Sequence, residues 1–223
     1  MSGQWDAVLF DWDDTLCGAE PHRFVYAQTV ANEFGLSLTL ADVYAAFVRA
    51  GDSAAGAWGE FIVRLPEALG IPQRDADAFI ERYRQRDTIR TFQLFDDVLD
   101  ALGEIRSRGL RVGIITNNDD AEDRLHELRM HHLVEIVVSP RTFGVGKPDP
   151  RIFTETLAQM QIAPERSLYV GDSWDNDVVG ARSAGLTPIL IDRWEINPRA
   201  DSTLRVTSLS HVLSVALGAA TRL

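Results

Sequence analysis

Two rhythms of apolar and polar residues divide this chain. From about residue 20 to 88 the apolar positions recur at helical spacing. They fall in segments over Pro21–Phe34, Leu40–Ala50, Ala54–Leu69 and Asp75–Arg86, punctuated by Gly35, Gly51 and the GIP at 70–72. β-Branched runs are nearly absent there, so the stretch predicts an all-helical module. Elsewhere short apolar runs alternate with helical patterns. Strands are expected at 5–11 (WDAVLFD), 110–116, 134–139, 167–172 and 187–192, with a weaker one at 204–207. Helices are expected at 97–108, 121–130, 150–160, 175–184 and 211–219. Strand–helix alternation with apolar, β-branched strands implies a parallel sheet covered on both faces. The expected fold is therefore α/β: a doubly wound parallel sheet (a Rossmann-like core) from residues 1–16 and 90–223, interrupted by an inserted helical domain at 17–89.

Sheets of this kind bind ligands beyond the carboxyl ends of their strands. The polar residues collect there, in FDWDD, TNNDD, SPRTFG, GDSWDND and IDRWE. Asp11 and Asp13 lie two apart and so share a side, with Phe10 and Trp12 opposite. Asp172 and Asp177 add two carboxylates from a second strand end. Taken singly each has a plainer explanation: an Asp-Asp turn, a helix cap at Asp172 or Asp175, an N-cap at Thr116. Converging, the four acids would repel one another and resist ionisation unless a cation sat among them. An oxygen-only donor set with no histidine or cysteine selects a hard ion, Mg²⁺ before Zn²⁺. Lys147 is the chain's only lysine and stands in GVGKPDP, a loop that also follows a strand. Thr116 and Asn117 close IITNN with a hydroxyl and main-chain N–H groups that suit a phosphate. A carboxylate nucleophile, a neighbouring acid, a hard cation, a lysine and a phosphate cradle together equip a protein for phosphoryl transfer through an aspartyl phosphate.

Composition narrows the partners rather than the chemistry. The chain has 223 residues, 45% hydrophobic and 25% charged, with a net charge of −11 and no basic run. Nucleic acid and anionic membrane surfaces are thus poor partners, and a small phosphorylated molecule is the expected one. The single Cys17 cannot form an internal disulfide and reads as core packing. MSGQWDAVLF has neither the basic nor the long apolar region of a secretion signal, and no run approaches membrane-spanning length, so the expected location is cytoplasmic.

Four motifs in order, FDWDDTL, IITN, GKPDP and GDSWDND, resemble those of the haloacid dehalogenase superfamily of phosphohydrolases. The helical insert directly after the first motif resembles the cap of its phosphoglycolate phosphatase-like branch. The resemblance implies that Asp11 attacks phosphorus, and that Asp13 protonates the leaving oxygen and then activates water. It implies Mg²⁺ held by Asp11, the main-chain carbonyl of Asp13, Asp172 and, directly or at one remove, Asp177. It places Thr116, the Asn117 amide and Lys147 on the phosphoryl oxygens. Asp14 stands where most relatives carry glycine. Phosphomutases of this branch have a histidine where this chain has Arg23, which weighs against isomerisation. Dehalogenases lack the second aspartate, so Asp13 and Asp172 weigh against dehalogenation. The insert contains no lysine, which weighs against the Schiff-base phosphonate hydrolases. The expected activity is a Mg²⁺-dependent phosphatase acting on a small phosphate monoester; a sugar phosphomutase or a non-catalytic phosphate-binding regulatory module are the alternatives. His22, Arg23, Arg49, Trp58 and Arg64 are polar or aromatic residues of the insert that could meet a substrate, though packing explains most such residues.

Overall fold

The computed structural model describes residues 4–51, 58–199 and 203–218. Residues 54–57 of the expected third helix, Ala219 of the last expected helix, and residues 1–3, 200–202 and 219–223 of the expected core lie outside them. The strands are β1 (Ala7–Phe10), β2 (Cys17–Glu20), β3 (Thr91–Leu94), β4 (Arg111–Ile115), β5 (Ile136–Val138), β6 (Ser167–Gly171), β7 (Thr187–Ile191) and β8 (Leu204–Val206). The helices are α1 (Arg23–Glu33), α2 (Leu40–Ala50), α3 (Trp58–Leu69), α4 (Ala76–Arg84), α5 (Arg86–Ile89), α6 (Val98–Ser107), α7 (Ala121–Glu127), α8 (Pro140–Phe143), α9 (Pro150–Gln159), α10 (Gly180–Ser183) and α11 (Leu209–Ala216).

Six strands form one parallel sheet in the order β5-β4-β1-β6-β7-β8. β1 is central because all four of its residues are apolar and fully buried, so both faces need cover. Ala7 and Leu9 pack with Tyr169, Ile152, Phe153 and Leu157 in one cluster, while the alternating Val8 and Phe10 are buried on the other side. Burying each large side chain of this kind stabilises the fold by roughly 1.5–3 kcal/mol. From β1 the chain steps to β4 and β5, then crosses back to β6 on the opposite flank. That reversal opens a crevice at the carboxyl end of β1, where such folds hold ligands. The expected class is observed: a parallel Rossmann-like sheet with separate helical elements.

The chain divides into two compact units, one of Met1–Cys17, Leu94–Glu195 and Arg199–Leu223, the other of Gly18–Gln93 and Ile196–Pro198. The second unit has its own aromatic core: the Phe47 ring lies 4.9 Å from Phe24 and 5.2 Å from Phe61. α2 begins with a reciprocal Thr39–Asp42 cap and ends at Gly51, whose φ of 88° favours glycine. Four of the insert's polar candidates have partners within it. His22 is buried as the N-cap of α1, the Arg23 guanidinium lies 4.9 Å over the Phe24 ring, Arg49 donates to the Ala68 carbonyl at 2.8 Å, and Arg64 pairs with Glu60 on the surface. The Trp58 side chain lies outside the described atoms.

Several local features differ from the expected pattern. β2 and β3 form a small two-stranded sheet where the sequence carries no strand signal. α8 has no counterpart among the expected helices; Pro140 opens it, a reciprocal Ser139–Thr142 cap fixes its start, and Gly144 at φ 89° ends it. The helix expected over 175–184 starts with a wide turn at Trp174–Val179, in which the Val178 amide reaches the Ser173 carbonyl five residues back.

Candidate active site

β1 delivers Asp11 to the crevice. Its amide donates to the Val170 carbonyl at 2.8 Å, which extends the β1–β6 ladder by one step. Alternation along the strand puts Asp11 on the side of Ala7 and Leu9, and so toward Tyr169 and the α9 face. The next residues turn sharply: the Asp14 amide donates to the Cys17 carbonyl at 2.8 Å, and Asp14 has a φ of 56°. That left-handed backbone is one an L-residue adopts at a cost and glycine adopts freely, so Asp14 fills a turn position.

Lys147 joins the strand ends. Its Nζ donates to Asp11 Oδ1 and Asp177 Oδ1, both at 2.6 Å, and to the Tyr169 hydroxyl at 3.1 Å. All three N–H groups of the ammonium are thus engaged inside the protein. Asn117 fixes the loop that carries it: its Nδ2 donates to the Lys147 carbonyl at 3.0 Å and its Oδ1 accepts from the Lys147 amide at 2.8 Å. Asp177 is held from the other side, with Oδ2 accepting from the Ser173 amide at 2.9 Å. Its close approach to β6 requires Gly171, because a Cβ there would lie 2.3 Å from Asp177 Cγ.

Asp172 completes the group. One carboxylate oxygen each from Asp11, Asp172 and Asp177 lies within 4.8 Å of the others. Three carboxylates against one ammonium leave a formal charge of −2 when all are ionised. Burial pushes the Asp11 carboxyl up to about 7 from its ordinary 3.8; Lys147 opposes the rise, while Asp177 and Asp13 add to it. Burial also works against the Lys147 charge, but Asp11 and Asp177 outweigh it and hold the ammonium above its usual range. A divalent cation would neutralise the excess negative charge, and three hard oxygen donors with no nitrogen or sulfur fit Mg²⁺.

Asp13 is not one of this trio, though it stands near enough to raise the Asp11 carboxyl. It is half-buried, and its carboxylate faces Asn118, whose Nδ2 donates to Oδ2 at 2.9 Å and Oδ1 at 3.2 Å. Thr116 is buried at the end of β4, its amide bonded to the Val138 carbonyl and its Oγ1 accepting from the Asn118 amide at 3.1 Å. Because Oγ1 already accepts there, its proton is the part left to offer an anion. Of the seven sequence-expected residues, Asp11, Asp13, Thr116, Asn117 and Asp172 follow the carboxyl ends of β1, β4 and β6, Lys147 lies in the loop before α9, and Asp177 in the Trp174–Val179 turn.

Two residues join the site that the motifs do not single out. Tyr169 sits two positions before Gly171, donates to the Ile115 carbonyl at 2.8 Å and accepts from Lys147; burial, then Asp177 and Asp11, push its phenol up. A tyrosine in an otherwise aliphatic buried strand is the available signal, since its hydroxyl needs a partner. Asn118 is the second asparagine of TNND, where two adjacent amides after a strand leave the division of labour open.

A family profile described as haloacid dehalogenase-like hydrolase matches residues 5–185. Phosphoserine phosphatase of Thermus thermophilus is 35% identical over 164 residues, covering 71% of this chain and 65% of that protein. The chain spans 44% to 65% of the length of the first curated relatives it matches. Among solved structures, the HAD phosphatase of Thermococcus onnurineus superposes with a TM-score of 0.63 at 23% identity, over 94% of this chain and 97% of that one. The 2-haloacid dehalogenase of Pseudomonas syringae pv. Tomato does so with 0.60 at 23% identity, over 97% and 100%. At these identities the likeness concerns the fold alone, and the fold is shared by a phosphatase and a dehalogenase.

Proposed function

Since the chain belongs to the haloacid dehalogenase-like hydrolase family, we propose that it is a Mg²⁺-dependent phosphatase that hydrolyses a small phosphate monoester through an aspartyl phosphate on Asp11. The observation that carries this reading is the buried arrangement in which Lys147 bridges Asp11 and Asp177 while Asp172 stands within 4.8 Å of both. Asp11, the main-chain carbonyl of Asp13, Asp172 and Asp177 would hold the metal, which when bound neutralises the site and polarises phosphoryl oxygens as a Lewis acid.

Asp11 forms a bond to phosphorus as the bond to the leaving oxygen breaks, and Asp13 gives its proton to that oxygen. Water then attacks the aspartyl phosphate, its proton passes to Asp13, and Asp11 is released. Lys147, the Thr116 hydroxyl and the Asn117 amide bind the phosphoryl oxygens. An incoming phosphoryl oxygen takes over one of the three N–H groups that Lys147 now spends on protein acceptors. Asp13 beside Asp11 favours this chemistry over dehalogenation, which has no leaving alcohol to protonate. The Thermus relative, whose named substrate is a small phosphate monoester, agrees with that substrate class.

The test is hydrolysis of p-nitrophenyl phosphate with Mg²⁺, abolished by EDTA and by Asp11→Asn. Full activity in Asp11→Asn removes Asp11 as nucleophile. Isomerisation of a sugar phosphate without phosphate release would make the protein a mutase. Phosphate affinity without turnover across a panel of esters would make it a binding module.

A further inference from the structure

We propose that Asn118 is a positioning residue for Asp13: its side-chain amide clamps the acid/base carboxylate. The inference rests on the phosphatase reading above. A single nitrogen, Asn118 Nδ2, lies within hydrogen-bond distance of both Asp13 oxygens, at 2.9 and 3.2 Å. Which end of an asparagine amide is nitrogen must be settled by its partners. Here Oδ1 accepts from the Asp120 amide at 2.9 Å, so the NH₂ end is the one turned to Asp13. The clamp is itself anchored. The Asn118 amide donates to Thr116 Oγ1, and the Thr116 amide belongs to the β4–β5 ladder through Val138. Asn118, in the loop after β4, is thus tied to the end of that strand through Thr116.

Two contacts from one donor restrict the rotation of the half-buried Asp13 carboxylate. A group that transfers a proton must hold its geometry within a fraction of an ångström of the reacting oxygen. Nδ2–H can only donate, and with a contact to each Asp13 oxygen it holds the carboxyl plane whether or not Asp13 carries its proton. In the first half-reaction the P–O bond to the leaving group breaks, the Asp11–phosphorus bond forms, and that proton goes to the leaving oxygen. In the second, water supplies a proton to Asp13 while its own oxygen bonds phosphorus and Asp11 departs. Asn118 touches neither substrate nor phosphorus in this scheme and acts only through Asp13.

The test compares two esters by kcat/KM, which isolates the first half-reaction. p-Nitrophenolate leaves readily without a proton, whereas the alkoxide of an alkyl phosphate such as glycerol 2-phosphate needs one. Acid catalysis of this type contributes ~10²–10⁴-fold, so Asp13→Asn should lower the alkyl-to-aryl ratio of kcat/KM about 100-fold or more. Asn118→Ala, which keeps Asp13 but removes this clamp, should lower that ratio about 10-fold, with inhibition by inorganic phosphate changed less than about twofold. Asn118→Asp keeps the shape but removes the donor, and should lower the ratio at least as far. An equal loss on both esters in Asn118→Ala, or a wild-type ratio in Asn118→Asp, would overturn the positioning role while leaving the phosphatase reading intact. An unchanged ratio in Asp13→Asn, or no turnover of either ester by the wild type, would overturn the acid/base assignment and with it this inference.

Discussion

Replacing Lys147 by methionine tests the electrostatics of the site without changing its bulk greatly. The ammonium is buried and supplies the charge that faces Asp11 and Asp177, each at 2.6 Å. Removing one partner of a buried ion pair typically costs about 3–5 kcal/mol, because the remaining charge is left uncompensated. For a protein of this length that corresponds to a fall in Tm of about 6–20 °C. The size should depend on pH, with a sign that can be worked out. The Asp11 carboxyl already lies at about 7 in the folded protein against 3.8 ordinarily, and Lys147 acts to lower it. Without the lysine the folded-state value rises further, so the folded protein holds a proton that the unfolded chain has released. Stability then falls as pH rises through that window, and the penalty of Lys147→Met should be larger at pH 8 than at pH 5.5. Thermal denaturation in EDTA measures it, and added Mg²⁺ should narrow the gap by returning positive charge. An unchanged Tm at pH 8 in EDTA, or a penalty that grows as pH falls, would refute the reasoning.

Three further outcomes follow from the same geometry. A proton on Asp11 competes with the metal, so Mg²⁺ affinity measured by calorimetry should fall about tenfold per pH unit below pH 7; a flat profile from pH 5.5 to 7 would contradict it. Gly171→Ala places a Cβ 2.3 Å from Asp177 Cγ, and should cut Mg²⁺ affinity by about 10- to 100-fold with the fold retained by circular dichroism; wild-type affinity would show that Asp177 is free to move. Asp14→Gly suits a φ of 56°, so activity should stay within about threefold of wild type and stability within ~1 kcal/mol; loss of turnover would give Asp14 a chemical role.

What the sequence discloses and what it hides divide along the range of the interactions. The burial of β1, its alternation and the placing of Asp11 beyond it depend on neighbours in the chain, and AVLF followed by DWDD displays them directly. The parallel sheet is likewise visible, because its strands are short, mostly apolar runs that alternate with helical patterns. The bond between Lys147 and Asp11 spans 136 positions, and only an inference about strand ends could bring the two together. Tyr169 and Asn118 act through hydrogen bonds to groups distant in sequence, Ile115 and Lys147 for the first and Asp13 for the second, so composition cannot reveal them. β2 and β3 are four-residue strands 17–20 and 91–94, and CGAE lacks the β-branched residues that mark a strand. Ile196 packs with the aromatic cluster of the second unit although it follows the fifth sheet strand of the chain, β7, an excursion with no local signature.

Covalent capture of the intermediate tests the central claim most directly. The Mg²⁺-loaded protein is quenched in acid during turnover of p-nitrophenyl phosphate, reduced with borohydride and mapped by peptide mass spectrometry. An acyl phosphate is reduced where a free carboxylate is not, so residue 11 should be recovered as homoserine while Asp13, Asp14 and Asp172 remain aspartate. Sustained turnover with every one of these residues unmodified, or reduction at another of them, would contradict Asp11 as the nucleophile.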